Sequence, residues 1–365
     1  MAMTKPISLD ALRRHAVART LFKPTTLARA IDRLGFVQAD PIRAPARAQD
    51  LTLRHRVRDY RAGDLERRYA RLAVEEDFLV NYGFLPRETL ALLHPRIARR
   101  TWDAATRRRA GAVLAFVREH GPVHPREVQA AFDHGRTRNA WGGESNAVTH
   151  LLDGMHYRGQ LRVLRRDAGV RVYEAVDHVA DERSPADKAE ALLRLVVQKY
   201  APLPSRSLGH LVSLLGGGAP QLMPELKRLL ATARKSWPGA EVDGLRWIWN
   251  DGEDPSSCRH APDPQVRLLA PFDPIVWDRL RFELLWGWPY RFEAYVPAPK
   301  RLRGYYALPL LWHEQVIGWA NVGVQHGRLQ PCLGYAGGRA PRSAAFRSAL
   351  DDELGRLSTF LGLGA

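Results

Sequence analysis

The chain is poor in cysteine: 365 residues include only Cys258 and Cys332. Two cysteines are too few for a disulfide framework, and no C-x-x-C spacing is present that would indicate a zinc site. The sequence therefore predicts a protein of a reducing compartment.

Long apolar runs are also missing. No stretch approaches the 18 or so residues of a membrane span, and the opening Met-Ala-Met-Thr-Lys runs into a charged amphipathic segment instead of a signal peptide. We therefore expect a soluble, cytoplasmic protein without a membrane partner.

Several catalytic signatures are absent as well. There is no phosphate loop and no Ser-His-Asp arrangement, and the 13 histidines are scattered along the chain. Scattered histidines are more often solvated or core residues than ligands. The sequence predicts no metal and no cofactor.

Acidic residues are few relative to basic ones, with 39 Asp and Glu against 55 Lys and Arg, which gives a net charge of +16. Such an excess favours a polyanionic partner, nucleic acid above all. Arginine carries most of it, and its planar fork suits phosphate. An arginine-rich composition can equally reflect a GC-rich genome.

Helix signals recur along the first two thirds of the chain. Ser8 and Thr25 or Thr26 are typical caps before apolar periodic runs, and Gly35 is a typical helix stop. From residue 106 three helical segments precede a predicted hairpin, 160–166 and 170–174, which is the winged-helix order. A third set of helices ends in a hairpin with Asp243-Gly244 at its turn.

The composition changes after Pro255, where proline, tryptophan and tyrosine accumulate. Alternating segments predict strands at 291–296, 305–310 and 315–320, and residues 344–361 predict a closing helix. We therefore predict an α+β protein with three tandem winged-helix units and a small C-terminal antiparallel β-barrel or sheet. The expected boundaries are 1–105, 106–182, 183–258 and 259–365.

One short stretch combines polar groups suited to chemistry. Gln38 and Asp40 stand two residues apart, so in extended chain both point to one side, with Ala39 turned away into the protein. Pro41 supports the extended conformation because it disfavours helix at Asp40. The alternative is a structural turn, since Asp before Pro is common turn chemistry.

Longer patterns resemble the AlkX/AlkZ (YcaQ-like) winged-helix DNA glycosylases. The resemblance rests on residues 34–40 (Leu-Gly-Phe-Val-Gln-Ala-Asp), 47–51 (Arg-Ala-Gln-Asp-Leu), 271–279 (Pro-Phe-Asp-Pro-Ile-Val-Trp-Asp-Arg), 295–301 (Tyr-Val-Pro-Ala-Pro-Lys-Arg) and 304–309 (Gly-Tyr-Tyr-Ala-Leu-Pro). The Q-x-D form is similar to the AlkX branch. The sequence departs from the family at 80–84, where many relatives have Trp-x-His-Glu-Ala.

The resemblance implies a DNA repair glycosylase that excises N7-alkylated guanine and unhooks interstrand crosslinks. A cationic base is already a good leaving group, so the enzyme has to stabilise charge on the sugar and deliver water. Asp40 is the expected carboxylate for both tasks, and Gln38 is expected to position the water or the sugar. No lysine lies in this stretch, which favours simple hydrolysis by a monofunctional enzyme, although a distant lysine could fold in.

Basic residues suggest where DNA is held. A charge run can be a solvated face or a structural ion-pair cluster, but beside winged-helix units phosphate contact is an alternative of equal standing. The expected partner is double-stranded DNA. We expect the protein to be a monomer that associates with the nucleoid. The candidate DNA-binding residues are Arg43, Arg47, Arg107, Arg108, Arg162, Arg165, Arg166, Lys300, Arg301 and Arg303.

Two other classes remain open. A non-enzymatic winged-helix regulator, or an RNA-binding protein, would also need the positive charge. A carboxylate facing a polyanion would not help such a protein, because like charge disfavours binding. A regulator should prefer one duplex sequence, whereas a repair enzyme should prefer lesions.

Overall fold

The computed structural model describes residues 7–132, 136–138, 144–177, 181–257 and 263–364. Cys258 and the predicted boundary beside it lie outside the described residues. The helices are α1 (Leu9–Thr20), α2 (Leu27–Leu34), α3 (Ala48–Leu53), α4 (Asp64–Arg68), α5 (Arg87–Leu93), α6 (Ala104–His120), α7 (Pro125–Ala131), α8 (Ala147–Tyr157), α9 (Pro185–Tyr200), α10 (Ser205–Gly218), α11 (Met223–Ser236), α12 (Arg279–Trp286) and α13 (Ala344–Leu361).

The strands are short apart from the last two. They are β1 (Val37–Gln38), β2 (Val74–Phe78), β3 (Tyr82–Pro86), β4 (Arg136–Arg138), β5 (Glu144–Asn146), β6 (Leu161–Asp167), β7 (Val170–Ala175), β8 (Leu203–Pro204), β9 (Gly239–Val242), β10 (Leu245–Ile248), β11 (Val266–Leu268), β12 (Leu308–Trp312), β13 (Gln315–Gln325) and β14 (Arg328–Tyr335).

The chain forms two compact units, one of residues 1–65, 193–211 and 230–365 and the other of residues 66–192 and 212–229. Each has its own apolar core. Fully buried side chains of the first unit include Leu12, Leu27, Phe36, Trp247 and Phe282, and those of the second include Leu85, Val113, Leu152 and Val163.

The predicted helix ends near the N-terminus are confirmed. The Ser8 hydroxyl accepts the Ala11 N–H at the start of α1, and the Thr26 hydroxyl accepts the Arg29 N–H at the start of α2. Gly35 ends α2 in the left-handed region, at φ 65°, which glycine adopts without steric cost. The chain then leaves the helix directly into β1.

Residues 104–175 contain three helices followed by a hairpin. Helices α6, α7 and α8 precede β6 and β7, which pair antiparallel from Leu161↔Ala175 to Asp167↔Val170. Val123 adds a bridge to Tyr173, with backbone hydrogen bonds of 2.8 and 2.9 Å. This is the element order predicted for the second winged helix. The order recurs with α9 to α11 and the sheet β8-β10-β9, while the total of three winged helices and the four boundaries stay predictions.

The C-terminal strands form a four-stranded antiparallel sheet in the order β11-β12-β13-β14. Helix α13 lies against β11, where the Glu353 carboxylate accepts the Leu268 N–H over 2.8 Å. The predicted closing helix, 344–361, is confirmed at both ends. An antiparallel sheet is therefore observed, and closure into a barrel stays a prediction.

The strand predicted at 291–296 is wrong. These residues form turns and loop, because the polar position Glu293 is buried instead of facing solvent. Its carboxylate accepts the Arg303 backbone N–H over 2.7 Å, so this N–H is bonded to a side chain and not to the backbone of a neighbouring strand. Pro289, Pro297 and Pro299 on either side lack the N–H that a ladder needs. The segment predicted at 305–310 becomes a strand only from Leu308.

Within the described ranges, no helix combines the length and the apolar character that crossing a membrane requires.

Candidate active site

The Gln38–Asp40 segment lies in the first unit and is buried. Gln38 and Asp40 are 6% and 8% exposed, whereas Ala39 between them is half-buried, so the prediction that Ala39 turns into the protein is wrong. The Asp40 backbone N–H donates to Oε1 of Gln49 over 3.2 Å. A side chain of α3 thus fixes the end of β1, and both polar side chains are held in a low-dielectric environment.

Gln38 is oriented by an indole. Nε1 of Trp277 donates to Oε1 of Gln38 over 2.9 Å. Indole nitrogen can only donate, so the amide oxygen faces Trp277 and the amide NH2 is the end available to another group. The Trp277 ring in turn packs on Tyr200, with ring centroids 4.8 Å apart, and on His210 at 6.0 Å.

The Asp40 carboxylate makes a local turn. Its Oδ1 accepts the Ile42 N–H over 2.9 Å, as expected for Asp before Pro. Burial raises the pKa of Asp40 above its ordinary value of 3.8, and the Ile42 hydrogen bond opposes that rise. The turn and a buried carboxylate with increased proton affinity therefore coexist, and the two alternatives of the sequence analysis do not exclude each other.

The segment that carries Trp277 is anchored by a buried ion pair. Arg56 donates from Nη1 to Oδ2 of Asp273 over 2.7 Å and from Nη2 to Oδ1 over 3.0 Å, and both side chains are fully buried. The Trp277 backbone N–H donates to the Asp273 carbonyl over 2.9 Å. Bidentate pairing fixes orientation as well as distance. The N-terminal and C-terminal parts of the first unit are therefore joined at two points, the Trp277–Gln38 hydrogen bond and the Arg56–Asp273 ion pair.

A distant lysine contacts the residue that precedes β1. Lys199 is buried, and its Nζ donates to the Phe36 carbonyl. Burial lowers the pKa of Lys199 to about 7, and the nearby Arg56 charge acts in the same direction. Lys199 is therefore a distant lysine of the kind that the sequence analysis left open when it predicted simple hydrolysis.

Tyrosines lie within electrostatic reach of Asp40. Burial, and next the Asp40 charge, raise the pKa of Tyr306 and of Tyr295. The Tyr306 hydroxyl is buried and has no hydrogen-bond partner among the described residues. Tyr295 is 77% exposed.

The predicted DNA-binding residues of the first unit differ in exposure. Arg43 and Lys300 are exposed, and Arg47, Arg301 and Arg303 are half-buried. Nε of Arg301 donates to the Val296 carbonyl over 2.7 Å. The Arg303 guanidinium lies over the rings of Trp288 and Trp319, at 5.2 and 5.4 Å. The structure therefore gives Arg301 and Arg303 structural contacts.

The predicted residues of the second unit fall into two groups. Arg107 and Arg108 are exposed on α6, and Arg165 is exposed and paired with Asp167 at 3.0 Å. Arg162 instead pairs with the buried Glu75 at 2.9 Å.

Arg166 is the most constrained of these arginines. It pairs with Glu76 at 2.5 Å, where the carboxylate side chain is fully buried. Nη1 of Arg166 also donates to the Gly169 carbonyl over 2.9 Å. Consecutive acidic residues of β2 thus hold two of the wing arginines, an arrangement that the sequence analysis did not predict.

The residues missed by sequence reasoning are Trp277, Lys199 and Tyr306. Trp277 stood in a recognised motif, but nothing near it in the sequence indicated that its indole would contact Gln38. Lys199 ends an amphipathic helix and carried no signal of its own. Among the described residues no group of histidine, cysteine or acidic side chains has the arrangement of a metal site.

Comparisons with known proteins identify the family and the fold. The model of the family described as DNA glycosylase AlkZ-like matches residues 31–360, a range that includes Gln38, Asp40 and Trp277. The solved structure of the Streptomyces sahachiroi DNA glycosylase AlkZ is similar to this chain with a TM-score of 0.64 and 14% identity. The match covers 98% of this chain and 97% of that one, and at this identity it shows a shared fold.

Proposed function

This chain belongs to the AlkZ-like family of DNA glycosylases, and from that premise we propose that it hydrolyses the N-glycosidic bond of N7-alkylated guanine in damaged double-stranded DNA. The proposed enzyme is a monofunctional, nucleoid-associated monomer that needs no cofactor. The same reaction on a guanine tethered to both strands would unhook an interstrand crosslink.

The observation that carries the proposal is the pairing of a fixed amide with a buried carboxylate two residues away. Because Trp277 occupies the Gln38 oxygen, Gln38 offers its NH2 group, which can donate to the oxygen of a water molecule. Asp40 can accept a proton from that water, and its raised pKa makes it a stronger base than a solvated aspartate.

The carboxylate also suits the charge of the reaction. An N7-alkylated guanine leaves as a neutral base, so positive charge develops on the sugar in the transition state. A buried carboxylate stabilises such charge more strongly than an exposed one, because water does not screen it. Asp40 therefore serves as electrostatic stabiliser and as general base.

Phosphate contacts are proposed for the ten basic residues named above. Exposure supports Arg43, Arg107, Arg108, Arg165 and Lys300 most directly. For Arg162 and Arg166 a contact with DNA has to coexist with their buried carboxylate partners.

The test is single-turnover release of base from a duplex that carries N7-methylguanine. Wild type should release the base, and Asp40→Asn should lose about 10²–10⁴-fold in rate while it still binds DNA. Gln38→Ala should also be slow. Asp32→Asn, an exposed carboxylate on α2, is the matched control and should keep the wild-type rate.

Two outcomes would contradict the proposed activity or its mechanism. If wild type neither releases the base nor unhooks a nitrogen-mustard crosslink, the enzymatic proposal is wrong and the chain is a DNA-binding or regulatory protein of the same fold. If Asp40→Asn releases base at the wild-type rate, the mechanism is wrong although the activity stands.

The monofunctional character needs its own test because of Lys199. Borohydride traps the imine that a lyase forms with the sugar, and we expect no covalent DNA adduct with wild type. An adduct that disappears in Lys199→Met would contradict the proposal.

A further inference from the structure

Three large apolar side chains are exposed within eleven positions of the C-terminal region. Tyr295 is 77% exposed, Leu302 is 79% exposed and Tyr305 is 43% exposed. A single exposed apolar residue is ordinary, but several on one segment indicate a contact surface. We name these three residues the 295–305 patch.

The segment that presents the patch is held by specific contacts. The Glu293 carboxylate accepts the Arg303 N–H over 2.7 Å, and Nδ2 of Asn321 donates to the Arg303 carbonyl over 2.6 Å. Gly304 lies at φ +108°, and a Cβ there would come within 2.5 Å of the Asn321 amide. These contacts fix the backbone of the segment, so the patch side chains are exposed on an ordered segment and not on a loose loop.

Two observations favour a polar or charged ligand at the patch. The Asp40 carboxylate interacts electrostatically with Tyr295, and the hydroxyl of the neighbouring Tyr306 is buried without a hydrogen-bond partner among the described residues. A buried unpartnered hydroxyl costs free energy unless something binds it.

We propose that the 295–305 patch is the subsite that binds the alkylated base, with the ring of Tyr295 stacked on a cationic purine. The inference rests on the proposed function and adds the chemistry by which the lesion is recognised. The occupant is a purine carrying a positive charge.

Charge complementarity decides in favour of a cationic base. The faces of tyrosine rings are electron-rich and attract cations, and the Asp40 carboxylate adds negative charge beside them. Arg301 lies 5.1 Å over the Tyr305 ring, so that ring already holds a cation of the protein, and the ring of Tyr295, which is 77% exposed, is the one offered to the base. A neutral guanine would gain the stacking but not the electrostatic attraction.

Binding measurements separate recognition from chemistry. The probes are two duplexes whose lesion nucleotide carries a 2′-fluoroarabinose sugar, which slows cleavage, one with cationic N7-methylguanine and one with neutral guanine. Fluorescence anisotropy gives the Kd of each, and their ratio is the preference for the lesion. Tyr295→Leu should reduce this ratio roughly three- to thirtyfold, whereas Tyr295→Phe, which keeps the ring, should retain it.

Val324→Ala is the control because it removes exposed apolar area on β13, outside the patch. It should leave both Kd values and their ratio unchanged. If Tyr295→Leu weakens both duplexes equally, the patch stacks on undamaged DNA and the inference is wrong. A wild type that releases N7-methylguanine but shows no preference for the cationic duplex also overturns the inference while the proposed function stands. A wild type that does not release the base refutes the function itself.

Discussion

The indole N–H of Trp277 and the side-chain oxygen of Gln38 form a 2.9 Å hydrogen bond between residues 239 positions apart. Trp277 ends a segment that the Arg56–Asp273 pair anchors, and Gln38 ends β1. The hydrogen bond therefore joins the Gln38 amide, which lies beside the proposed catalytic carboxylate, to a segment that a buried ion pair holds in place.

Trp277→Phe tests this role. Phenylalanine keeps an aromatic ring against Tyr200 but has no N–H, so the Gln38 amide is free to rotate. We expect base release to slow by about 10- to 100-fold, in line with the loss of one positioning contact. DNA affinity should change little. A rate equal to that of wild type would show that the amide is oriented by other groups.

The pH dependence of base release follows from Asp40. The carboxylate must be ionised to accept a proton, and burial raises its pKa above 3.8. The rate should therefore fall as the pH decreases through this raised pKa, with a midpoint above that of an ordinary aspartate. The measurement is a single-turnover pH–rate profile corrected for spontaneous depurination, with circular dichroism to confirm folding at each pH. Asp32→Asn should give the wild-type profile, and a rate that stays constant down to pH 4 would contradict the assignment.

Lys199 makes stability depend on pH. Its pKa is about 7 in the folded protein against an ordinary value of 10.5, so between these values the unfolded chain holds one more proton. The free energy of unfolding should then rise with pH in this window. Between pH 7 and pH 9, wild type should gain about 1–3 kcal/mol more than Lys199→Met, measured by urea unfolding. Equal gains would mean that Lys199 remains charged when buried.

The arginines of the β6–β7 hairpin can be separated by paired measurements. Arg165→Ala removes an exposed charge whose ion pair contributes about 0–1 kcal/mol, so stability should be almost unchanged. If Arg165 contacts a phosphate, the slope of log Kd against log salt should decrease by about 0.9.

Arg166→Ala should behave in the opposite way. It leaves the fully buried Glu76 carboxylate without its closest cation, and breaking such a pair costs about 3–5 kcal/mol of stability. A stable Arg166→Ala protein would show that the remaining partners of Glu76 compensate for the loss, namely the Tyr82 hydroxyl at 3.0 Å and the Arg171 guanidinium at 3.9 Å.

Local signals in the sequence predicted local structure. Ser8, Thr26 and Gly35 set the ends of α1 and α2 through hydrogen bonds that span three or four residues. Asp243 and Gly244 both adopt positive φ at the β9–β10 turn, as Asp-Gly predicts. Such features depend on neighbouring residues, so one sequence is enough to find them.

Long-range contacts explain what was missed. Glu293 looked like the outward position of a strand, yet its carboxylate is buried against the Arg303 backbone. The Gln38–Asp40 segment was found by its chemistry, but Trp277, which contacts Gln38, and Lys199, which contacts Phe36, come from parts of the chain more than 150 residues away. No local pattern reports which distant side chain will meet a given amide, so the polar composition of the site was predictable and its geometry was not.

The Arg56–Asp273 pair also has a consequence for synthesis. A chain elongating at about 5–20 residues per second needs roughly 10–40 s to proceed from Arg56 to Asp273. Until then the Arg56 guanidinium has no carboxylate at that position, and Trp277 has not yet been made. The nascent chain thus carries Gln38 and Asp40 before they are oriented, and the arrangement that we propose for catalysis forms only after Trp277 has been made.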